Sequence, residues 1–128
     1  MNHARRVLII DPFDEAEMYE IALRACDFGV TLAASARDGF TRYEQRGADI
    51  VIVGPQLPDA SQVDVVNWFK AQRPRAHVIV LTAHAYEPAL AQLRDAGPDA
   101  IQVTPYLPKD LVALLRDLGN SPPEVEAA

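Results

Sequence analysis

Asp49-Ile50-Val51-Ile52-Val53-Gly54-Pro55-Gln56-Leu57-Pro58 is the stretch on which the fold turns. Ile50 to Val53 is an unbroken run of β-branched apolar residues with no polar alternation. Such a run describes a strand buried on both faces, the mark of a parallel sheet covered by helices on each side. Gly54, Pro55 and Pro58 then stop the strand and open a loop that reaches Ser61. Working outward, Val7-Leu8-Ile9-Ile10 and Val78-Ile79-Val80-Leu81 repeat the pattern. Val30 to Ala34 and Ala100 to Val103 read as shorter, weaker strands.

Helical periodicity fills the intervals. Helices are expected over Asp14 to Cys26, Ala36 to Gln45, Val63 to Gln72, Pro88 to Ala96 and Lys109 to Leu118. Asp14, Glu15 and Glu17 sit where the first helix dipole favours acids. Met18, Ile21, Ala22 and Ala25 recur at helical spacing and are expected to form its buried side. In the third helix, Val63, Val66 and either Trp68 or Phe69 are expected inward. Gly39 weakens the second helix. Gly47, Gly97 and Gly119 close helices, and Pro74 stops one. Five strands alternating with five helices imply an α/β, doubly wound, five-stranded parallel sheet of flavodoxin-like (βα)5 architecture, in strand order 2-1-3-4-5. The expected domain covers residues 1–119, and 120–128, with Pro122-Pro123, is expected to be a flexible tail or linker. Ligands of such sheets bind beyond the carboxyl ends of the strands, where Asp11, Gly54, Thr82 and Thr104 are expected to converge.

Composition narrows the function classes. The 128 residues suit one domain, with 49% hydrophobic and 23% charged residues, as in an ordinary globular protein. A net charge of -6 argues against direct nucleic-acid binding and against an acidic membrane surface. The basic N-terminus (His3, Arg5, Arg6) leads into only four apolar residues, too few for a signal peptide, and a cytoplasmic location is expected. Cys26 stands alone among alanines and leucine and reads as a small buried hydrophobe. His3, His77 and His84 lack metal-ligand spacing, and no nucleophile–base pair or phosphate loop is legible. Neither a metal, nor a cofactor, nor an enzymatic activity is expected.

Asp11 after the first strand, Pro58 four residues after Gly54, Leu81-Thr82-Ala83, Ala96-Gly97, Asp99-Ala100 and Thr104-Pro105-Tyr106 together form a pattern. From Arg6 to Leu118 it resembles the receiver domain of two-component response regulators. That resemblance implies phosphoryl transfer to an aspartate on the third strand, with Mg²⁺ held by acids and a lysine offsetting charge. At the corresponding positions this sequence has Gly54 for the nucleophile, Pro12 for the second acid and Thr104 for the lysine. Ser61-Gln62 replaces the usual Asp-Gly pair, and Ile101 stands where the switch aromatic falls. The resemblance is therefore to an atypical pseudo-receiver lacking the phosphoacceptor aspartate.

Such a module is expected to act by phosphorylation-independent protein–protein interaction, with a signalling protein or output domain as partner, or as a homodimer. The family's docking face would carry Tyr86, Leu90, Arg94, Gln102, Tyr106, Leu107 and Lys109. The alternative is a small-molecule sensor using the degenerate pocket of Asp11, Pro12, Gly54, Thr82 and Thr104, in which Gly54 would leave room. Asp59 and Asp14 read as a loop acid and a helix-start acid. Thr82 and Thr104 are placed to hydrogen-bond each other, a water or Asp11.

Overall fold

The computed structural model describes residues 5–83, 87–104 and 106–119. The expected tail at 120–128 lies outside the described residues. The elements run β1 (Arg6–Ile10), α1 (Glu15–Ala25), β2 (Gly29–Ala33), α2 (Ala36–Arg46), β3 (Ile50–Val53), α3 (Gln62–Lys70), β4 (His77–Thr82), α4 (Glu87–Ala96), β5 (Ala100–Val103) and α5 (Pro108–Gly119). The strands form one parallel sheet in the order β2-β1-β3-β4-β5, as expected. In register, Ile10 pairs with Ala33 and Val53, and Val53 with Val80. Asp11, Gly54, Thr82 and Thr104 therefore line one edge of the sheet.

The unbroken apolar runs are buried as their composition demands: Ile9, Ile10, Ile50 to Val53 and Val78 to Val80 are all 0% exposed. Alternate strand residues face opposite layers. Val7, Ile9, Ile50, Ile52 and Ile79 pack with Leu23, Leu111 and Leu115 of α1 and α5. Leu8, Ile10, Val51, Val53 and Val80 pack with Val65, Val66 and Phe69 of α3 and Leu93 of α4. Each fully buried side chain of this size stabilises the fold by about 1.5–3 kcal/mol. Ser35 and Ser61 cap α2 and α3, each accepting from the backbone N–H three residues on, at 3.0 Å.

The expected buried faces are met only in part. The buried face of α1 is Ala16, Tyr19 and Leu23, whereas Met18 is 58% and Ile21 70% exposed. Ala25 is also exposed, and of the expected set Ala22 alone packs on the core. Two apolar stripes share the helical period, and the buried one is that whose Tyr19 hydroxyl finds an acceptor, the Tyr106 carbonyl at 2.8 Å. In α3, Val66 and Phe69 are buried as expected and Val63 packs half-buried against the core, while Val65 is buried as well. Cys26 is likewise half-buried, packed against the core.

Gly39 lies inside α2, and its use there is in packing. It lets the helix approach the sheet: a Cβ there would stand 2.4 Å from Cδ1 and 2.7 Å from Cγ1 of Ile10. Alanine is the better helix former by about 1 kcal/mol. Overpacking against a wholly buried isoleucine costs about 1–3 kcal/mol. Gly39→Ala is therefore expected to destabilise the domain on balance, by about 1 kcal/mol, read as a lower urea midpoint.

Candidate functional site

The site is built by where each strand stops. Asp11 follows β1 directly, and its backbone N–H donates to the Ala33 carbonyl at 2.9 Å, so the residue is held as if the strand continued. Its side chain is 93% shielded, at 7% exposure. One carboxylate oxygen, Oδ1, accepts the Phe13 N–H at 2.9 Å, a turn that only a short acid or amide makes readily. Burial, the dominant influence, pushes the Asp11 carboxyl above its ordinary range; the Phe13 hydrogen bond opposes this and nearby Glu15 adds to it.

Gly54 ends β3 beside it, its N–H donating to the Ile10 carbonyl at 2.9 Å. A Cβ on Gly54 would lie 2.7 Å from both Cγ and Oδ2 of Asp11. The space that the glycine was expected to leave is thus taken by the Asp11 carboxyl, not open to a ligand. Gln62, the first residue of α3, donates from Nε2 to the carbonyls of Gly54 and Leu81, both at 2.7 Å. It bridges the ends of β3 and β4. Thr82 is buried at the end of β4. Thr104 meets it through the backbone: its N–H and hydroxyl donate to the Thr82 carbonyl at 2.8 and 3.3 Å. Pro12 is exposed and turns away, lining a shallow depression with Leu57 and Pro58.

Next to this pair of strand ends lies a cleft of about 640 Å³. Asp11, Leu81 and Thr104 line it together with Phe13, Met18 and Tyr19 on one side and Tyr106 and Leu107 on the other. Its walls are mainly apolar. The expected site residues Asp11 and Thr104 face it, whereas Gly54 and Pro12 do not line it.

The expected docking residues divide. Arg94 on α4 and Lys109 on α5 are exposed, Leu90 and Gln102 are half-buried, and Leu107 is 54% exposed. Tyr106 packs against the α1/α5 core and lines the cleft, so it belongs more to the strand-end site than to an outer face. Tyr86 lies outside the described residues. Ile101 packs into the opposite core layer, beneath α4.

Two residues carry more than their sequence context suggested. Asp59 accepts the Ala36 and Arg37 N–H groups at 2.8 and 3.0 Å, so the β3–α3 loop caps α2. Those hydrogen bonds from Arg37 and Ala36 hold its carboxyl below the ordinary range. Gln62 acts across three elements. Neither role leaves a local motif, because the partners are backbone groups distant in sequence. Asp14 precedes α1 without a side-chain capping bond. No described helix is long and apolar enough to cross a membrane, and the described residues contain no group of three or more His, Cys, Asp or Glu able to hold a metal.

Known proteins share both sequence and fold with this chain. It is 32% identical over 116 residues to the probable transcriptional regulatory protein TcrX of Mycobacterium tuberculosis, covering 88% of this chain and 48% of that protein. It is 30% identical over 111 residues to the sensory transduction protein RegX3 of Mycolicibacterium smegmatis, covering 86% of this chain and 48% of that protein. The chain thus spans about half the length of these relatives. No family model matches it. Among solved structures, the CheY-like response regulator receiver domain protein of Methanospirillum hungatei superposes with a TM-score of 0.81 at 25% identity, over 90% of this chain and 93% of that one. The signal receiver domain of a histidine kinase from Syntrophus aciditrophicus gives a TM-score of 0.85 at 19% identity, over 95% and 96% of the two chains, a likeness of fold. Strand order and sequence identity place this chain among the CheY-like receiver domains of response regulators.

The raised Asp11 pKa has a testable sign. The folded value lies above the ordinary 3.8, so ionised Asp11 costs stability in the fold. That cost is absent below the unfolded value and grows as pH rises through the folded one. Asp11→Asn keeps an acceptor for Phe13 and is expected to raise the Tm at pH 7, with the gain vanishing in melts near pH 3.

Proposed function

We propose that this receiver domain works in signal transduction without being phosphorylated, by binding a protein partner. The observation that carries the reading is the occupied nucleophile position: Asp11 fills the space a side chain on Gly54 would need. Glycine offers no oxygen to phosphorylate. Pro12 offers no second carboxylate, and one acid is a poor site for Mg²⁺, a hard ion that prefers oxygen ligands. Thr104 carries no charge to offset a transferring phosphoryl group. These departures act together, since each removes a separate part of one mechanism.

What remains is a surface. Arg94, Lys109 and Leu107, with Leu90 and Gln102 behind them, supply the charge and apolar area that a protein partner or a second copy would engage. Ile101 has no polar tip and packs half-buried against the core, which suits a face held in one state rather than one switched by an aromatic swing. Of the relatives about twice this length, one is a probable transcriptional regulatory protein and one a sensory transduction protein. An output domain, covalently attached or separate, is the natural class of partner, with nucleic acid touched through that partner rather than by this domain.

Two outcomes test this. Incubation with Mg²⁺ and acetyl phosphate is expected to leave the intact mass unchanged, and Gly54→Asp is expected to remain unphosphorylated while losing about 1–3 kcal/mol of stability to its collision with Asp11. A phosphorylated wild-type chain would overturn the reading. In a pull-down against the cognate signalling partners, Arg94→Ala with Lys109→Ala is expected to weaken a complex about tenfold or more with the melting curve unchanged. A complex indifferent to both changes would move the docking face elsewhere.

A further inference from the structure

The strand-end cleft has a chemistry that partner docking does not use. Asp11, a residue only 7% exposed, is among its lining residues. Among the described residues its one hydrogen bond is to Oδ1, from Phe13, which leaves Oδ2 without a donor. Oδ2 is not among the buried polar atoms left without a partner, so it keeps contact with solvent and is open to a donor brought by a ligand. Among the described residues no lysine or arginine lines the cleft, and the second charged residue there is another acid, Glu15. A phosphate or carboxylate would meet two negative groups there. Mg²⁺ would find a single buried carboxylate and apolar walls in place of six oxygens.

The rest of the lining is apolar and aromatic. Phe13, Met18 and Leu107 stand 47%, 58% and 54% exposed around the mouth, although each is a residue type that folding normally hides. Tyr19 and Tyr106 form the inner wall, fixed to each other by the hydrogen bond from the Tyr19 hydroxyl to the Tyr106 carbonyl. The volume of about 640 Å³ falls within the range that small ligands occupy. An apolar bowl with one buried acid in its lining and aromatic rings at its side suits a cation on a hydrophobic body, since ammonium groups favour both carboxylates and ring faces.

We propose that this cleft binds a small organic cation, an amine attached to an aromatic or other apolar group, with the ammonium on Asp11 and the apolar body against Phe13, Met18 and Leu107. Leu107 belongs to both the cleft and the proposed docking face, but Leu90, Arg94, Gln102 and Lys109 do not line the cleft, so the Arg94 and Lys109 variants test docking while Asp11→Asn tests the cleft. An ammonium beside Asp11 also favours its ionised form, which burial alone disfavours.

Amide NMR of the full chain, titrated separately with phenethylamine, phenethyl alcohol and phenylacetate, tests it. Phenethylamine is expected to give saturable shifts at Phe13, Leu81 and Thr104, with a Kd on the order of 1 mM for so small a ligand. The alcohol should bind more weakly and the carboxylate not at all. Asp11→Asn should weaken the amine about tenfold while leaving the alcohol unaffected. Leu107→Ala, at an exposed position that leaves the core intact, should weaken amine and alcohol alike. Equal binding of amine and carboxylate, amine affinity unmoved by Asp11→Asn, or no saturable shift with phenethylamine would each overturn the proposal. Loss of Arg94- and Lys109-dependent partner binding would not bear on it, so the two readings fail separately.

Discussion

The contact between the Asp11 carboxyl and the bare Cα of Gly54 is the constraint around which the working end of this domain is arranged. β1 and β3 are adjacent and in register, so the residues that follow them must share one small volume. In that volume one side chain is present and one is absent. Asp11 leans into the gap, becomes almost wholly shielded and turns one oxygen back to its own loop at Phe13. Nearby, Gln62 ties the Gly54 and Leu81 carbonyls, Thr104 closes on Thr82, and an apolar cleft lies beside them, lined by Phe13, Met18, Tyr19, Tyr106 and Leu107.

This arrangement separates scaffold from chemistry. The scaffold that receiver domains share is intact, from the parallel register to the two core layers above and below the sheet. The strand-end residues, by contrast, have the electrostatics of an acid without a cation. An anionic donor would be repelled by Asp11 and Glu15. With no lysine or arginine among the described residues lining the cleft, these two acids favour a cationic visitor over an anionic one. A phosphorylation-independent partner surface and an apolar cleft are both consistent with that inversion.

Most of the fold was legible because its deciding signal is local. Runs such as Ile50 to Val53 state their own burial, and the alternation with helices leaves one reasonable topology. The α1 face was not legible, because Met18/Ile21/Ala25 and Ala16/Tyr19/Leu23 are both apolar at the helical period. Periodicity cannot rank two stripes; the Tyr19 hydroxyl needed an acceptor, and that acceptor comes from Tyr106, far along the chain. Gly39 read as a helix weakness for the same reason, since its use lies in the approach to Ile10. At the site, Asp11, Gly54, Thr82 and Thr104 were placed correctly at adjoining strand ends by topology. The rest was hidden: Asp59 and Gln62 act on distant backbone groups, and the cleft arises from how two loops stand apart.

The central claim is that Asp11 fills the nucleophile's place and leaves the strand ends unable to hold a phosphoryl group. Beryllofluoride with Mg²⁺ mimics a phosphorylated carboxylate, and fluorine NMR reads its capture without relying on the lifetime of a phosphoryl bond. The account predicts that the spectrum shows only free beryllofluoride species and that the amides of Asp11, Gly54 and Thr82 do not move. A bound fluorine signal accompanied by shifts at those three amides would contradict it, and would mean that the site still accepts a phosphoryl group through another residue.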